Sequence, residues 1–207
     1  MKNIKGMKKI ISIIGLAIIF CGNILIAQEV ASKLNDASTA YNAGKLDDAR
    51  NALQQALQEI NKAIGKQILD LMPAKMNTMT FDPSNDNVSS TTSTFAGLLV
   101  SRTYSEAAKS VKVDIIGDSP LITGINAILA MPAFMTSKDS NQKQIKISGY
   151  KSLLQKNVDS ENKTSYDLQI PVNQTLMTIH YTGIESENDV VAMANSLPIS
   201  QIMKAAQ

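Results

Sequence analysis

Ser165-Tyr-Asp-Leu-Gln-Ile-Pro-Val-Asn-Gln-Thr-Leu-Met-Thr-Ile-His-Tyr-Thr182 is the stretch on which the fold turns. Tyr166, Leu168 and Ile170 alternate with Ser165, Asp167 and Gln169, a period of two that belongs to a half-buried strand. Across Asn173-Gln174, Met177, Ile179 and Tyr181 alternate with Thr178, His180 and Thr182. A two-residue link between two such runs predicts a tight antiparallel hairpin. One of its faces is apolar and the other polar, so the sheet sets one face against a core and leaves the other in water.

The same period extends outward. Gln144–Gln155 reads as a strand through Ile145 and Ile147, with charged turn residues 157–163 after it and a polar loop, Ser137–Lys143, before it. Val111, Val113 and Ile115 alternate with Lys112 and Asp114. Phe95–Ser105 forms their partner across the turn Glu106–Lys109. Between the two strand groups, Asp118 or Ser119 is placed to cap a helix with Pro120 at its first position. Its apolar stripe is Leu121, Ile122, Ile125, Ile128 and Leu129, closed by Met131-Pro132. Ser186-Glu-Asn-Asp189 has the form of a capping box. It opens a last helix through Val190, Met193 and Leu197 that Pro198 interrupts. Residues 95–207 are therefore expected to be an α+β domain of order β-β-α-β-β-β-α, an antiparallel sheet of about five strands with helices packed on one face.

Residues 28–73 have helical spacing instead. Val30, Leu34, Ala37 and Tyr41 are followed by a break at Gly44, then Leu46, Ala49, Leu53, Ala56, Leu57, Ile60, Ile64, Ile68 and Leu71 recur at steps that predict an αα-hairpin. Pro73 ends it. Residues 74–94 read as a polar linker, since 82–94 hold a single apolar side chain, Val88. Lys2, Lys5, Lys8 and Lys9, then an apolar run from Ile10 to Phe20 and small Ala27, have the layout of a signal peptide over residues 1–27, with cleavage before Gln28. Retention of this segment as an anchor, or lipidation of Cys21, are the two competing readings.

Composition narrows the function. The chain has 207 residues, 20 Lys+Arg against 18 Asp+Glu, one Cys, one His and no Trp. Four of those basic residues lie in the signal-like segment, so residues 28–207 carry 16 against 18, a net of −2. That balance gives nucleic acid no basic face to bind. A lone His180 and a Cys confined to the leader provide no zinc ligand set. A Ser–His–Asp triad lacks its Gly-x-Ser-x-Gly elbow, and no phosphate-binding Gly-rich loop is present. The carboxylates nearest to a pair, Asp114 and Asp118, read as a strand residue and a helix cap. The acids of Asp82–Asp86 lack the glycine and distal Glu of a calcium loop. The methionine groups Met72/Met76/Met79 and Met131/Met135 flank helix ends, as core filling or as an adaptable groove.

Two resemblances rest on particular residues. Tyr41, Gly44, Leu46, Ala49, Leu53, Ala56 and Leu57 resemble a single tetratricopeptide-type hairpin, without the further copies that a solenoid needs. Ile68-Leu-Asp-Leu-Met-Pro73, Ser101-Arg-Thr-Tyr104, Val113-Asp-Ile-Ile-Gly-Asp-Ser-Pro-Leu121 and Ile147-Ser-Gly-Tyr-Lys151 together resemble uncharacterised exported proteins of Gram-negative bacteria. That resemblance implies export to the periplasm or cell surface and an α+β fold similar to the PsbP sheet, and it implies no activity. The expected function is a non-catalytic binding or interaction module of the envelope, with no catalytic, cofactor or metal residues. Its expected partner is another envelope protein. The alternative is a carrier of a small apolar ligand, held in a pocket between the sheet and the Pro120–Met131 helix. A membrane enters only if the leader is retained or Cys21 is lipidated.

Overall fold

A computed structural model describes residues 27–90, 97–131 and 141–207. The leader with Cys21, Phe95, Met135 and most of the loop before Lys143 lie outside the described residues. The chain divides into two compact units, Met1–Ala63 and Ile64–Gln207. Residues 27–42 are helical (α1), and α2 runs from Leu46 to Leu71, crossing from the first unit into the second. No helix among the described residues is long and apolar enough to cross a membrane.

The second unit is an antiparallel sheet. Its strands are β1 (Lys75–Met76), β2 (Met79–Phe81), β3 (Asn87–Ser89), β4 (Leu98–Glu106), β5 (Lys109–Gly117), β6 (Gln142–Ile147), β7 (Tyr150–Val158), β8 (Thr164–Val172) and β9 (Thr175–Thr182). They lie in the order β1-β2-β4-β5-β9-β8-β7-β6, with β3 paired to β4 beside β2. The fold is α+β, as expected, but the sheet has nine strands among the described residues where about five are expected from the sequence. Two causes account for the difference. Ser148 and Gly149 take positive φ, 48° and 88°, and fold Gln144–Gln155 into the hairpin β6–β7 instead of one strand. Such a two-residue turn needs both residues left-handed, which glycine adopts without a Cβ clash. The stretch read as a linker adds β1, β2 and β3, anchored by Met76 and Met79, which are fully buried despite their polar neighbours.

Register sorts the side chains onto two faces. Val100, Val113, Ile115, Leu168, Ile170, Met177, Ile179 and Tyr181 share the apolar face. They form one core with Ile68 and Met72 at the end of α2, with Val190, Met193 and Ala194 of α4 (Glu187–Ser196), and with Ile199, Ile202 and Met203 of α5 (Ile199–Ala205). The helices are not confined to that face. In α3 (Ile122–Ala130), Ile122, Ile125 and Leu129 pack on Leu153 and Leu176, which have the opposite parity. The polar face of the sheet carries enough apolar surface at one end to hold a helix of its own.

Local signals explain the joints. Ser186 Oγ accepts from Asp189 N at 3.4 Å, the expected cap of α4. The cap expected for α3 is not formed: its N-cap is Leu121 without a side-chain bond, and Asp118 sits at φ 52° in the preceding turn. Gly65 is required by close packing, since a Cβ there would come 2.3 Å from Val88 Cγ1 on β3.

Candidate functional site

The hairpin of the first unit buries its small residues and exposes its large ones. Its turn is closed by Gly44 N–H donating to Tyr41 O at 3.0 Å and Lys45 N–H donating to Ala40 O at 2.9 Å. Gly44 takes φ 73°, the left-handed helix ending foreseen for it. The Lys62 ammonium is held above its ordinary pKa, chiefly by its hydrogen bond to Glu59 at 2.6 Å, with the more distant charge of Glu29 on α1 adding to it. That influence fits an antiparallel return of α2 along α1. Ala37, Ala49 and Ala56 are buried. Leu34, Tyr41, Leu46, Leu53, Leu57 and Ile60 are exposed, Leu53 by 53% and Tyr41 by 67%.

These six side chains belong to one surface. At about 100° per residue, Leu46, Leu53, Leu57 and Ile60 fall within a sector of about 60° on α2, rotated in one sense from Ala49 and Ala56. Leu34 and Tyr41 are rotated in that same sense, by about 50°, from Ala37 on α1. In an antiparallel pair, equal senses of rotation from the contact line bring both stripes to the same side. The hairpin therefore presents a single two-helix apolar face, of the kind that marks an interaction site.

Within the second unit, the most concentrated polar chemistry is structural. Arg102 has inward parity with Val100 and Tyr104 and is only 5% exposed. Its Nε and Nη2 donate to the Asp86 carboxylate at 2.9 and 2.6 Å, and its Nη1 donates to Leu69 O and Met72 O at 3.0 and 3.4 Å. The guanidinium carbon lies 3.8 Å from the centre of the Phe81 ring. Burial, the largest single influence, acts to lower the Arg102 pKa, but the hydrogen bonds and charges of Asp86 and Tyr104 together outweigh it and the net shift is upward. Tyr104 completes the knot by donating to Pro73 O at 2.8 Å; burial pushes its phenol pKa up. Helix ends leave carbonyls without intrahelical donors, and here a strand supplies them. The knot joins two of the sequence motifs, Ile68–Pro73 and Ser101–Tyr104.

His180 lies on the polar sheet face, where its strand parity places it. Its Nδ1 is 2.6 Å from Asp167 Oδ1, and Asp167 Oδ2 accepts from Asn157 Nδ2 at 2.7 Å. This orders the ring and leaves Nε2 free, the geometry of a base and its orienter. No hydroxyl among the described residues is bonded to His180. No group of three potential ligands that could hold a metal occurs among them either.

The other sequence candidates do not converge. Asp114 pairs with Lys112 at 3.1 Å, while Asp118 approaches Gly97 four residues further along, about 13 Å of extended chain. Asp82 caps the short 3-10 turn Pro83–Asn85 through Ser84 N–H, which holds its carboxyl below the ordinary range. Asp86 is committed to Arg102. Met72, Met76 and Met79 are core, and Met131 is exposed. The faces of α3 and the sheet are filled by Ile122, Ile125, Leu129, Leu153 and Leu176. A cleft of about 430 Å³ lies elsewhere, among Thr78, Lys109, Glu185, Asp189, Met79 and Met193, and its charges have both signs.

No family model matches the chain. No curated protein matches it either. Among solved structures, it is similar to the crystal structure of the extracellular domain of PknH from Mycobacterium tuberculosis, at 9% identity and a TM-score of 0.34, over 53% of this chain and 66% of that one.

Proposed function

We propose that the chain is an exported, non-catalytic interaction module of the bacterial envelope, and that the apolar face of the hairpin is its binding surface. The observation that carries this reading is the contrast in exposure. Six bulky side chains lie bare on one face of two helices, while among the described residues of the second unit the exposed large apolar ones, Leu121, Met131 and Val158, are far apart in the sequence. Scattered exposure is ordinary, and contiguous exposure is the signature of a contact surface. The basic and apolar layout of residues 1–27 supports export.

Fractionation of expressing cells, with mass analysis of the N-terminus, tests the address. The expected product begins at Gln28 and leaves the cytoplasm. Intact residues 1–27 in a cytoplasmic product would refute export. Chemical cross-linking in envelope preparations tests the module, with an expected stoichiometric adduct that Leu53→Glu with Leu57→Glu abolishes. An adduct indifferent to both substitutions would move the binding surface elsewhere.

A further inference from the structure

Resting on the reading of the hairpin as the binding surface, we infer that its first partner is a second copy of this chain, the two apolar faces closing into an antiparallel four-helix bundle. Three features of the hairpin favour that occupant.

The first is the charge of the rim. A second copy brings the same charges to the interface, so self-pairing requires an edge without net charge of one sign. On the helical wheel Ser38 flanks the stripe of α1, and Arg50 borders that of α2 with Gln54 beyond it. Arg50 is already paired with Asp47 at 3.0 Å, so the edge carries no net charge there. A membrane surface asks for the opposite, a polar edge rich in Lys and Arg.

The second is extent. Leu46 to Ile60 spans about 21 Å of axis, and two helices side by side are about 20 Å wide. The footprint is about 400 Å² on each copy, on the order of 1,000 Å² of accessible surface in total once side-chain relief is counted, the lower edge of specific interfaces. This area fits a reversible dimer with a dissociation constant in the micromolar range.

The third is pattern. Leu46, Leu53, Leu57 and Ile60 recur at steps of seven, four and three, while Ala49 and Ala56 are already buried within the hairpin. A seam of large apolar residues at that spacing is what bundle helices interlock through.

Sedimentation equilibrium on the purified chain, as processed by its expression host, tests the inference. The expected result is a reversible monomer–dimer equilibrium that Leu53→Glu with Leu57→Glu weakens by more than tenfold, at least 1.4 kcal/mol. Both positions are half exposed, and the milder Leu53→Ser, which is expected to weaken the dimer less, guards against a folding defect. Gln54→Cys should give a disulfide-linked dimer on oxidation. A monomer at every concentration, or a dimer indifferent to Leu53 and Leu57, overturns the inference. So does a monomer that floats with phosphatidylcholine–phosphatidylglycerol vesicles through those leucines, since the face then belongs to lipid. A monomer whose Leu57 cross-links to a different envelope protein overturns the dimer and leaves the interaction module standing. A Leu57-dependent dimer that stays in the cytoplasm with residues 1–27 intact does the reverse for export.

Discussion

The two units solve opposite problems with similar residues. The sheet unit buries nearly everything large it has, including Tyr104, Tyr181 and one arginine, and finds partners for most of the polar atoms it encloses. The hairpin buries alanines and turns leucines outward. Apolar burial contributes roughly 25 cal/mol per Å², so the first arrangement is what a chain does to stabilise itself. The second forgoes that gain within the unit. Apolar composition alone does not separate them, because Leu57 and Leu168 are the same residue in two roles.

Substitutions should separate the roles by size of effect. Arg102→Ala is expected to be the most damaging, about 3–5 kcal/mol, because it strips the enclosed Asp86 carboxylate of its partner and the Leu69 and Met72 carbonyls of the Arg102 donor. Urea unfolding measures it, and a loss under 1 kcal/mol would mean that the knot is ornamental. Leu168→Ala should cost about 2–5 kcal/mol, since the residue is fully buried and leaves a cavity. Gly65→Ala should cost about 1–3 kcal/mol through its clash with Val88, with partial recovery in the Gly65→Ala, Val88→Ala double variant. Leu57→Ala should stay within about 0.5 kcal/mol in unfolding measured on dilute, monomeric protein. A cost near that of Leu168→Ala would erase the distinction between the units.

Alkaline pH probes the sheet unit through its buried phenols. Burial pushes the phenols of Tyr104, Tyr166 and Tyr181 upward, and the hydroxyl of Tyr181 has no hydrogen-bond partner among the described residues. A phenol whose folded pKa is raised stays neutral in the fold while the unfolded chain ionises near pH 10. Its stabilising contribution is thus intact below about pH 10 and is lost above it, at up to about 1.4 kcal/mol per pH unit for each group. Tyr181→Phe should reduce that slope by one proton and leave neutral-pH stability unchanged or slightly higher, because an unsatisfied hydroxyl is removed. An unchanged slope would show that Tyr181 is accessible to water in the fold.

How much of this was legible depends on whether a signal was local. The β8–β9 hairpin could be read because Asn173-Gln174 fixes the register, and that register alone sets Asp167 opposite His180. The β6–β7 turn is equally local, but Ser148-Gly149 follows the alternating Ile145 and Ile147 directly and is followed by Tyr150, so the turn hides inside what looks like one strand. The Arg102 knot was not legible as a site. Asp86 lies in a polar stretch that resembles a linker, and only the pairing of both β2 and β3 with one edge of β4 brings it to the arginine. The clue was parity, since an Arg aligned with Val100 and Tyr104 points inward and needs a counter-ion. The placement of α3 on the second face was hidden because Leu153 and Leu176 lie at polar-face positions of their strands. The apolar spacing of the hairpin was plain in the sequence. Which side of it would be covered was not, because period gives a stripe and says nothing about what meets it.

Site-specific photo-cross-linking in living cells tests the central claim most directly, with a benzophenone side chain placed at Leu57 on the hairpin face or at Thr178 on the polar sheet face. The account expects a discrete adduct from position 57, reduced by Leu53→Glu, and none from position 178. Adducts from position 178 with none from 57 would contradict it and give the binding role to the sheet.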